Sequence, residues 1–338
     1  MSEFRIDQIK SQDATRGPDV AGITTFTGTS GIVMPSGNTA YRGGRGRGLF
    51  GSGATPGETN VIDYITIATT GNSIEFGNDN LVRQEGYAAV SSSTRGLFAG
   101  GLVTPSPGND TSNIAYVTIP STGNALNFGD LITAQQRNVG LSDSTRGISA
   151  GGGDPLVTTT IEFVTIASTG KASVFGDLTR ARYGSGACAS PTRGLVAGGS
   201  TSPGNTNAID YITIQTTGNG IEFGDLTEDP NHLAGCSNST RGLFGGGQTP
   251  TDIDVISYVT IASLGNAQDF GDLSAAKDYL GACASATRGV WAGGQTPTKL
   301  DVIEYVTIST LGDVTDFGNL TVARRFCQGL SDVHGGLG

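Results

Sequence analysis

Gly235-Cys236-Ser237-Asn238-Ser239-Thr240-Arg241-Gly242-Leu243-Phe244-Gly245-Gly246-Gly247 runs into a polar loop over residues 248–254 and then into Ile256-Ser257-Tyr258-Val259-Thr260-Ile261. Leu264-Gly265-Asn266 follows, and Ala267-Gln268-Asp269-Phe270-Gly271-Asp272-Leu273 ends the unit. Four short segments of strand character are separated by turn residues. A small-residue strand precedes the tight turn Ser239-Thr240-Arg241-Gly242. An apolar strand ends in glycines. A third strand carries Ile256 and Tyr258 on one face and Val259 and Ile261 on the other. A strand in a sheet with one solvated face alternates cleanly between apolar and polar. This one is apolar on both faces, so its sheet is expected to be sandwiched between two others, as in radially stacked blades.

The unit repeats. Arg-Gly recurs at Arg47, Arg95, Arg146, Arg193, Arg241 and Arg288, at intervals of 48, 51, 47, 48 and 47 residues. A degenerate copy, His334-Gly335, follows 46 residues later. Fixed periods in this range mark solenoids, propellers or arrays. Two aromatic positions recur in step. One is Tyr64, Tyr116, Phe163, Tyr211, Tyr258 and Tyr305; the other is Phe76, Phe128, Phe175, Phe223, Phe270 and Phe317. Both read as packing between blades, because aromatic side chains bury large areas. Trp291, in the position of Phe50, Phe98 and Phe244, reads as a packing variant. The glycine pairs at 100–101, 152–153, 198–199, 246–247 and 293–294 suit positive φ or close backbone approach. No Gly-Lys-Ser/Thr follows them, so they are not phosphate loops.

The first repeat lacks a small-residue strand before Arg47, and the chain's end supplies one in Phe326-Cys327-Gln328-Gly329-Leu330-Ser331-Asp332. Laying it beside residues 48–53 completes a blade from both ends of the chain and removes a free edge. The expected fold is therefore an all-β, six-bladed β-propeller. It has four strands per blade, spans residues 46–338, is closed by a C-terminal strand, and is preceded by an extended N-terminal arm at residues 1–45.

Composition limits the function. The 338 residues include 54 glycines, only 15% charged residues, and a formal net charge of −10, which disfavours nucleic-acid binding. No apolar run is long enough to span a membrane, and the N-terminus lacks an apolar signal core. Synthesis and folding in a cytoplasm are expected. Cys188, Cys236 and Cys283 lie five residues before successive Arg-Gly arginines, where earlier repeats carry Val90 and Leu141. They and Cys327 read as small buried apolar residues, without disulfides or zinc.

Candidate chemistry is sparse. His232, in the Pro230-Asn231-His232 connection, and His334 have no obvious triad partners. Asp130, Asp177, Asp225 and Asp272, each after Phe-Gly, read as turn-formers, and the repeated arginines as hairpin anchors on carboxylates or carbonyls. No catalytic, cofactor or metal residues are assigned. What varies between repeats is the polar loop after the glycine pair, where binding on a rigid scaffold concentrates. The candidate binding residues there are Thr55, Asn60, Thr104, Asn109, Asp154, Thr201, Asn205, Thr249, Asp252, Thr296 and Lys299.

The order of small-residue strand, apolar strand ending in Gly-Gly, polar loop and two aromatic-bearing strands resembles the kelch repeat. Kelch repeats usually carry Trp in the fourth strand, where this chain has Phe in Phe-Gly-Asp-Leu. The arm, Phe4-Arg5-Ile6-Asp7-Gln8-Ile9 with 16–31 (Arg-Gly-Pro-Asp-Val-Ala-Gly-Ile-Thr-Thr-Phe-Thr-Gly-Thr-Ser-Gly), resembles the N-terminal segment of virion structural proteins of tailed phages, particularly those of marine cyanobacteria. The repeats are similar to repeats in such proteins. The resemblance implies a non-enzymatic particle component on tail, fibre, neck or capsid, used in assembly and in host receptor or glycan binding. The arm's Phe4, Ile6, Ile9, Val20, Ile23 and Phe26 are then expected to dock on other virion proteins. The competing expectations are a carbohydrate-active propeller enzyme, which needs a carboxylate pair unique to one blade, and an intracellular kelch-type adaptor.

Overall fold

The computed structural model describes residues 46–55, 59–104, 109–153 and 156–337. The N-terminal arm and Asp154 lie outside the described residues. The described chain is built on six four-stranded antiparallel sheets. Each runs from a short inner strand to an outer strand. The second sheet, for example, holds Ala88–Ser91, Arg95–Ala99, Asn113–Thr118 and Leu126–Asp130 in that order. The first sheet draws on both ends of the chain: Gln328–Ser331 pairs antiparallel with Arg47–Gly51, Gly48 opposite Ser331 and Gly51 opposite Gln328. The expected joining strand is therefore present, but shorter than residues 326–332, and Phe326 falls outside it.

The inner strands touch one another in a cycle from the first sheet through the sixth and back to the first. Six apolar clusters fill the gaps between consecutive sheets. One joins Leu49, Ile62 and Phe76 of the first sheet to Phe98, Ala115 and Val117 of the second. Another joins Val290, Ile303 and Phe317 of the sixth to Phe50 and Ile65 of the first. The arrangement is propeller-like, with every sheet sandwiched between two others as the two-faced third strand requires.

Each repeated residue works against a neighbouring copy. The Gly of Arg-Gly is fixed by the inner strand of the preceding sheet. A Cβ on Gly242 would lie 2.6 Å from Cys188 Sγ, one on Gly289 3.0 Å from Cys236 Sγ, and one on Gly48 2.6 Å from Cys283 Sγ. Val90, Leu141 and Leu330 stand in the same relation to Gly147, Gly194 and Gly96. All four cysteines are buried free thiols. The Arg itself reaches the following sheet: Arg241 Nη1 donates to the Ile308 carbonyl at 2.7 Å and Arg288 Nη1 to that of Ile67 at 2.9 Å. It also lies over its own sheet's recurrent aromatic, 4.6 Å from the Tyr258 centroid for Arg241. Such a contact is worth about 0.5–1 kcal/mol. The anchors thus use carbonyls of the next sheet and not carboxylates.

The recurrent Phe is the extra residue of a bulge. Ile62 opposes Gly77 and Asp63 opposes Glu75, so Phe76 has no partner on the ladder and turns into the core. It meets Tyr64 edge to face at 6.0 Å, worth about 0.5–1.5 kcal/mol beyond burial. Asp130, Asp177, Asp225 and Asp272 end the outer strands and are not turn residues. Outer strands are in turn bonded to the next sheet's hairpin; Gly265 N, for instance, donates to the Phe223 carbonyl at 3.0 Å. Trp291 is fully buried and donates Nε1 to the Ala234 carbonyl at 3.2 Å.

Buried ion pairs fasten the linkers between sheets, a feature the repeat pattern alone did not reveal. Arg182 meets Asp210 at 2.6 Å, Lys277 meets Glu304 at 2.5 Å, Arg83 meets Asp79 at 2.9 Å, and Arg324 meets Asp63. In the third sheet Glu162 holds the acid's place without a cation, and burial pushes its carboxyl above the usual carboxylate range.

Candidate functional site

The polar loops and the linkers meet on one face. Isolated bridges join Ala54 to Arg325, Tyr183 to Ser200, Asn231 to Gln248, and Asp278 to Gln295. The sequence-predicted loop residues are distributed around this face and are not gathered into one site. Lys299 Nζ donates to the Thr55 carbonyl at 2.6 Å, joining the sixth loop to the first. Asn205 bridges to the Gln248 carbonyl and to Asn231. Thr249 donates to Asp229 at 2.5 Å, and Asn60 to the Asp79 carbonyl. Thr201 closes its own loop on Gly204. Asn109 sits in the short strand Asn109–Asp110, Asp252 in Thr251–Asp252, and Thr296 in Gln295–Thr296. Thr104 donates its backbone N–H to the Val82 carbonyl.

The concentrated site lies at the axis, two residues before each inner strand. Those six positions hold Gly86, Arg137, Gly184, His232, Tyr279 and Phe326. Backbone N–H groups donate from Arg137 to Gly86, Gly184 to Arg137, His232 to Gly184, Tyr279 to His232, and Phe326 to Tyr279, at 2.5–3.1 Å. The five that follow Gly86 have φ between 56° and 63°. That left-handed conformation is ordinarily glycine's. Gly184 fits it without strain, whereas Arg137, His232, Tyr279 and Phe326 carry large side chains there.

Those side chains converge. The His232 and Tyr279 rings lie 4.3 Å apart, Tyr279 and Phe326 4.1 Å, and Tyr183 5.9 Å from His232. Arg325 lies 5.4 Å from the Tyr279 centroid and 5.2 Å from that of Phe326. Arg137 covers Tyr183 at 5.4 Å and holds Glu85 through Nη2 at 2.7 Å and Nε at 3.1 Å. A cavity of about 30 Å³ opens among Arg137, Ser185, His232, Tyr279, Phe326 and Gln328. Behind it, the six inner strands surround an axial channel of about 60 Å³. At its far end His334 Nε2 donates to the Ser91 carbonyl at 3.0 Å and lies 3.3 Å from Ser142 Oγ, and Gly335, Gly336 and Leu337 are buried.

Electrostatics set what this mouth can do. Burial, then the charges of Arg137 and Arg325, hold His232 down to about 3, so it is a neutral imidazole near neutral pH. Neither of its ring nitrogens bonds a described protein atom, so the ring offers one donor and one acceptor. A base this weak is poorly matched to proton transfer near pH 7. Burial, then Asp252, push the neighbouring Asp278 up to about 7. Among the described residues Arg325 has no acid within ion-pair distance, and its buried Nε has no hydrogen-bond partner; Nη1 reaches Gln295 at 3.0 Å. No group of three or more His, Cys, Asp or Glu among the described residues is placed to hold a metal ion. The mouth is equipped to bind a polar or anionic group beside an aromatic surface.

Sequence reasoning dismissed His232 and assigned Phe326 to a strand. The available signal was glycine at two of six equivalent positions against Arg, His, Tyr and Phe at the others. No protein-family model matches the chain, and no curated protein matches it.

Proposed function

We propose that this chain is a non-enzymatic structural protein of a tailed-phage particle. Its repeats form a six-bladed, kelch-like β-propeller closed by the C-terminal strand and displayed on tail, fibre, neck or capsid. The N-terminal arm docks it on other virion proteins, and the loop face recognises a host receptor or glycan. It binds no nucleic acid and inserts into no membrane.

The observation that carries the recognition reading is how the repeated and the unrepeated residues are used. Recurrent arginines, glycines, cysteines and the recurrent Phe are spent on contacts between sheets. Large unrepeated side chains gather at one axial mouth, in a backbone conformation that disfavours them. Strain of that kind collects at ligand sites. The particle assignment rests on the resemblance of arm and repeats to virion proteins.

Immunogold electron microscopy on purified particles, with an antibody against the repeats, tests it. Label at one discrete place is expected, and its loss when residues 1–40 are removed from an otherwise folded chain. Unlabelled particles with the protein free in lysate would overturn the assignment.

A further inference from the structure

We propose that the axial mouth binds a carboxylate-bearing saccharide, with the carboxylate on Arg325 and the sugar ring against the aromatic surface of Tyr183, His232 and Tyr279. The inference rests on the recognition reading above and names its ligand class.

Arg137, Arg182, Lys277, Arg83 and Arg324 all have a carboxylate within ion-pair distance. Arg325 has none among the described residues, and its Nε is both buried and unbonded. A guanidinium presents its donors as a planar fork that matches a carboxylate. Burial, and after it the charge of Arg325, lowers the Lys299 ammonium below its usual range, so a second cation stands near Arg325 although the whole chain carries −10. Two opposing charges are close by. Glu85 is committed to Arg137. Asp278 is buried beside Asp252 and holds its proton more readily than an ordinary carboxyl.

Size and shape choose the rest of the ligand. The cavity of about 30 Å³ takes one water or a group of carboxylate size, not a sugar ring. The ring must therefore lie outside it, on the partly exposed faces of Tyr183, His232 and Tyr279. The hydroxyls of Tyr183 and Tyr279 make no hydrogen bond to a described residue, and His232 adds a donor and an acceptor. Apolar ring faces edged by free polar groups suit a pyranose, which has a C–H face and a rim of hydroxyls. Arg137 lines the cavity and Arg325 lies over the adjoining Tyr279 and Phe326 rings; two cations at one mouth suit a single carboxylate, while the chain's net negative charge repels a polyphosphate.

Isothermal titration calorimetry on the full chain tests this with digalacturonate, its neutral digalactoside counterpart and sodium acetate. Digalacturonate is expected to bind at least tenfold more tightly than either control. Arg325→Gln is expected to weaken it at least tenfold. Tyr279→Gly, which places the favoured residue at φ 56° and so preserves the backbone, is expected to weaken it similarly with the fold intact by circular dichroism. Equal binding of the neutral disaccharide would remove the role of the carboxylate. Equal binding of acetate would reduce the site to a simple anion site. No detectable heat with digalacturonate at millimolar concentration would overturn the proposal. Labelled particles alongside that last result would leave the display reading standing and refute only the ligand class; uronide binding with unlabelled particles would do the reverse.

Discussion

Gly48→Ala interrogates the contact between the sixth and first sheets, where Gln328–Ser331 brings the end of the chain back beside Arg47–Gly51. The added Cβ would stand 2.6 Å from Cys283 Sγ and 3.2 Å from Ile65 Cγ1. Ordinary contacts begin near 3.4 Å, so the sulfur must move by about 0.8 Å inside a filled cluster. Overpacking of this kind costs about 1–3 kcal/mol. Gly48 does not have positive φ, so alanine fits its backbone and recovers about 0.4–1 kcal/mol through the unfolded chain. The net expectation is a loss of between about 0 and about 2.6 kcal/mol. Gly242→Ala, 2.6 Å from Cys188 Sγ between sheets four and five, is the internal control and should cost the same. Cys283→Ala removes the obstructing sulfur, so the double variant should show a coupling of about 1 kcal/mol or more in a mutant cycle. Urea unfolding at fixed m measures each value. A neutral or stabilising Gly48→Ala beside a destabilising Gly242→Ala would refute closure of the ring at that contact.

Deleting residues 326–338 removes the inner strand of the first sheet together with Phe326 and the buried C-terminal turn; a sharp fall in melting temperature is expected, and an unchanged one would contradict the pairing. Asp278 contributes a pH dependence of definite sign. Its folded carboxyl titrates at about 7 against 3.8 for the ordinary group, raised by burial and then by Asp252 and opposed by Arg325. Between those values the folded state holds the proton more than the unfolded one, so this contribution to stability is complete below the unfolded pKa and is lost as pH rises through about 7. The difference in urea midpoint between the wild type and Asp278→Asn should therefore fall as pH is raised across that window; a flat difference removes the assignment. Phe270→Ala, at a recurrent core position only 2% exposed, should cost about 3–5 kcal/mol. Tyr279→Gly should shift stability far less, because relief of the left-handed φ offsets the lost ring contacts.

The architecture was legible because every architectural residue recurs. Arg-Gly, Gly-Gly and the two aromatic positions each contact copies of the same unit, so their period is the period of the fold. The use of each was less legible. Turn geometry suggested hairpin anchors, yet Arg241 reaches across to the Ile308 carbonyl of the next sheet, a contact about one and a half repeats away in sequence. The aspartates after Phe-Gly read as turn-formers because the bulge that absorbs Phe270 is invisible without the ladder. The buried acids Asp63, Asp210 and Glu304 were hidden because their partners Arg324, Arg182 and Lys277 come from linkers outside the recognised motifs. The axial site was missed for a related reason. Arg137, His232, Tyr279 and Phe326 lie one or two repeats apart and share no residue type, so they read as variation; only the backbone shows that they hold one position.

That position is where sheets in cyclic contact can tolerate difference. Elsewhere a substitution in one sheet meets two neighbours, as the thiols of Cys188 and Cys283 show against Gly242 and Gly48. At the mouth the side chains gather with Tyr183, Glu85 and Arg325 around a small cavity. The conformation there still selects for glycine by about 1–2 kcal/mol per residue, and Gly184 shows that glycine is accommodated. Four large residues stand against that preference. Ring stacking returns about 0.5–1.5 kcal/mol per contact, which offsets the strain at Tyr279 and Phe326. It returns less at Arg137, whose half-exposed pairing with Glu85 is worth at most about 1 kcal/mol. His232 surrenders its charge as well. Arg137 over Tyr183 at 5.4 Å and His232 against Tyr279 at 4.3 Å recover about 0.5–1.5 kcal/mol each, so glycine at 137 or 232 should leave stability nearly unchanged while weakening binding of the proposed ligand.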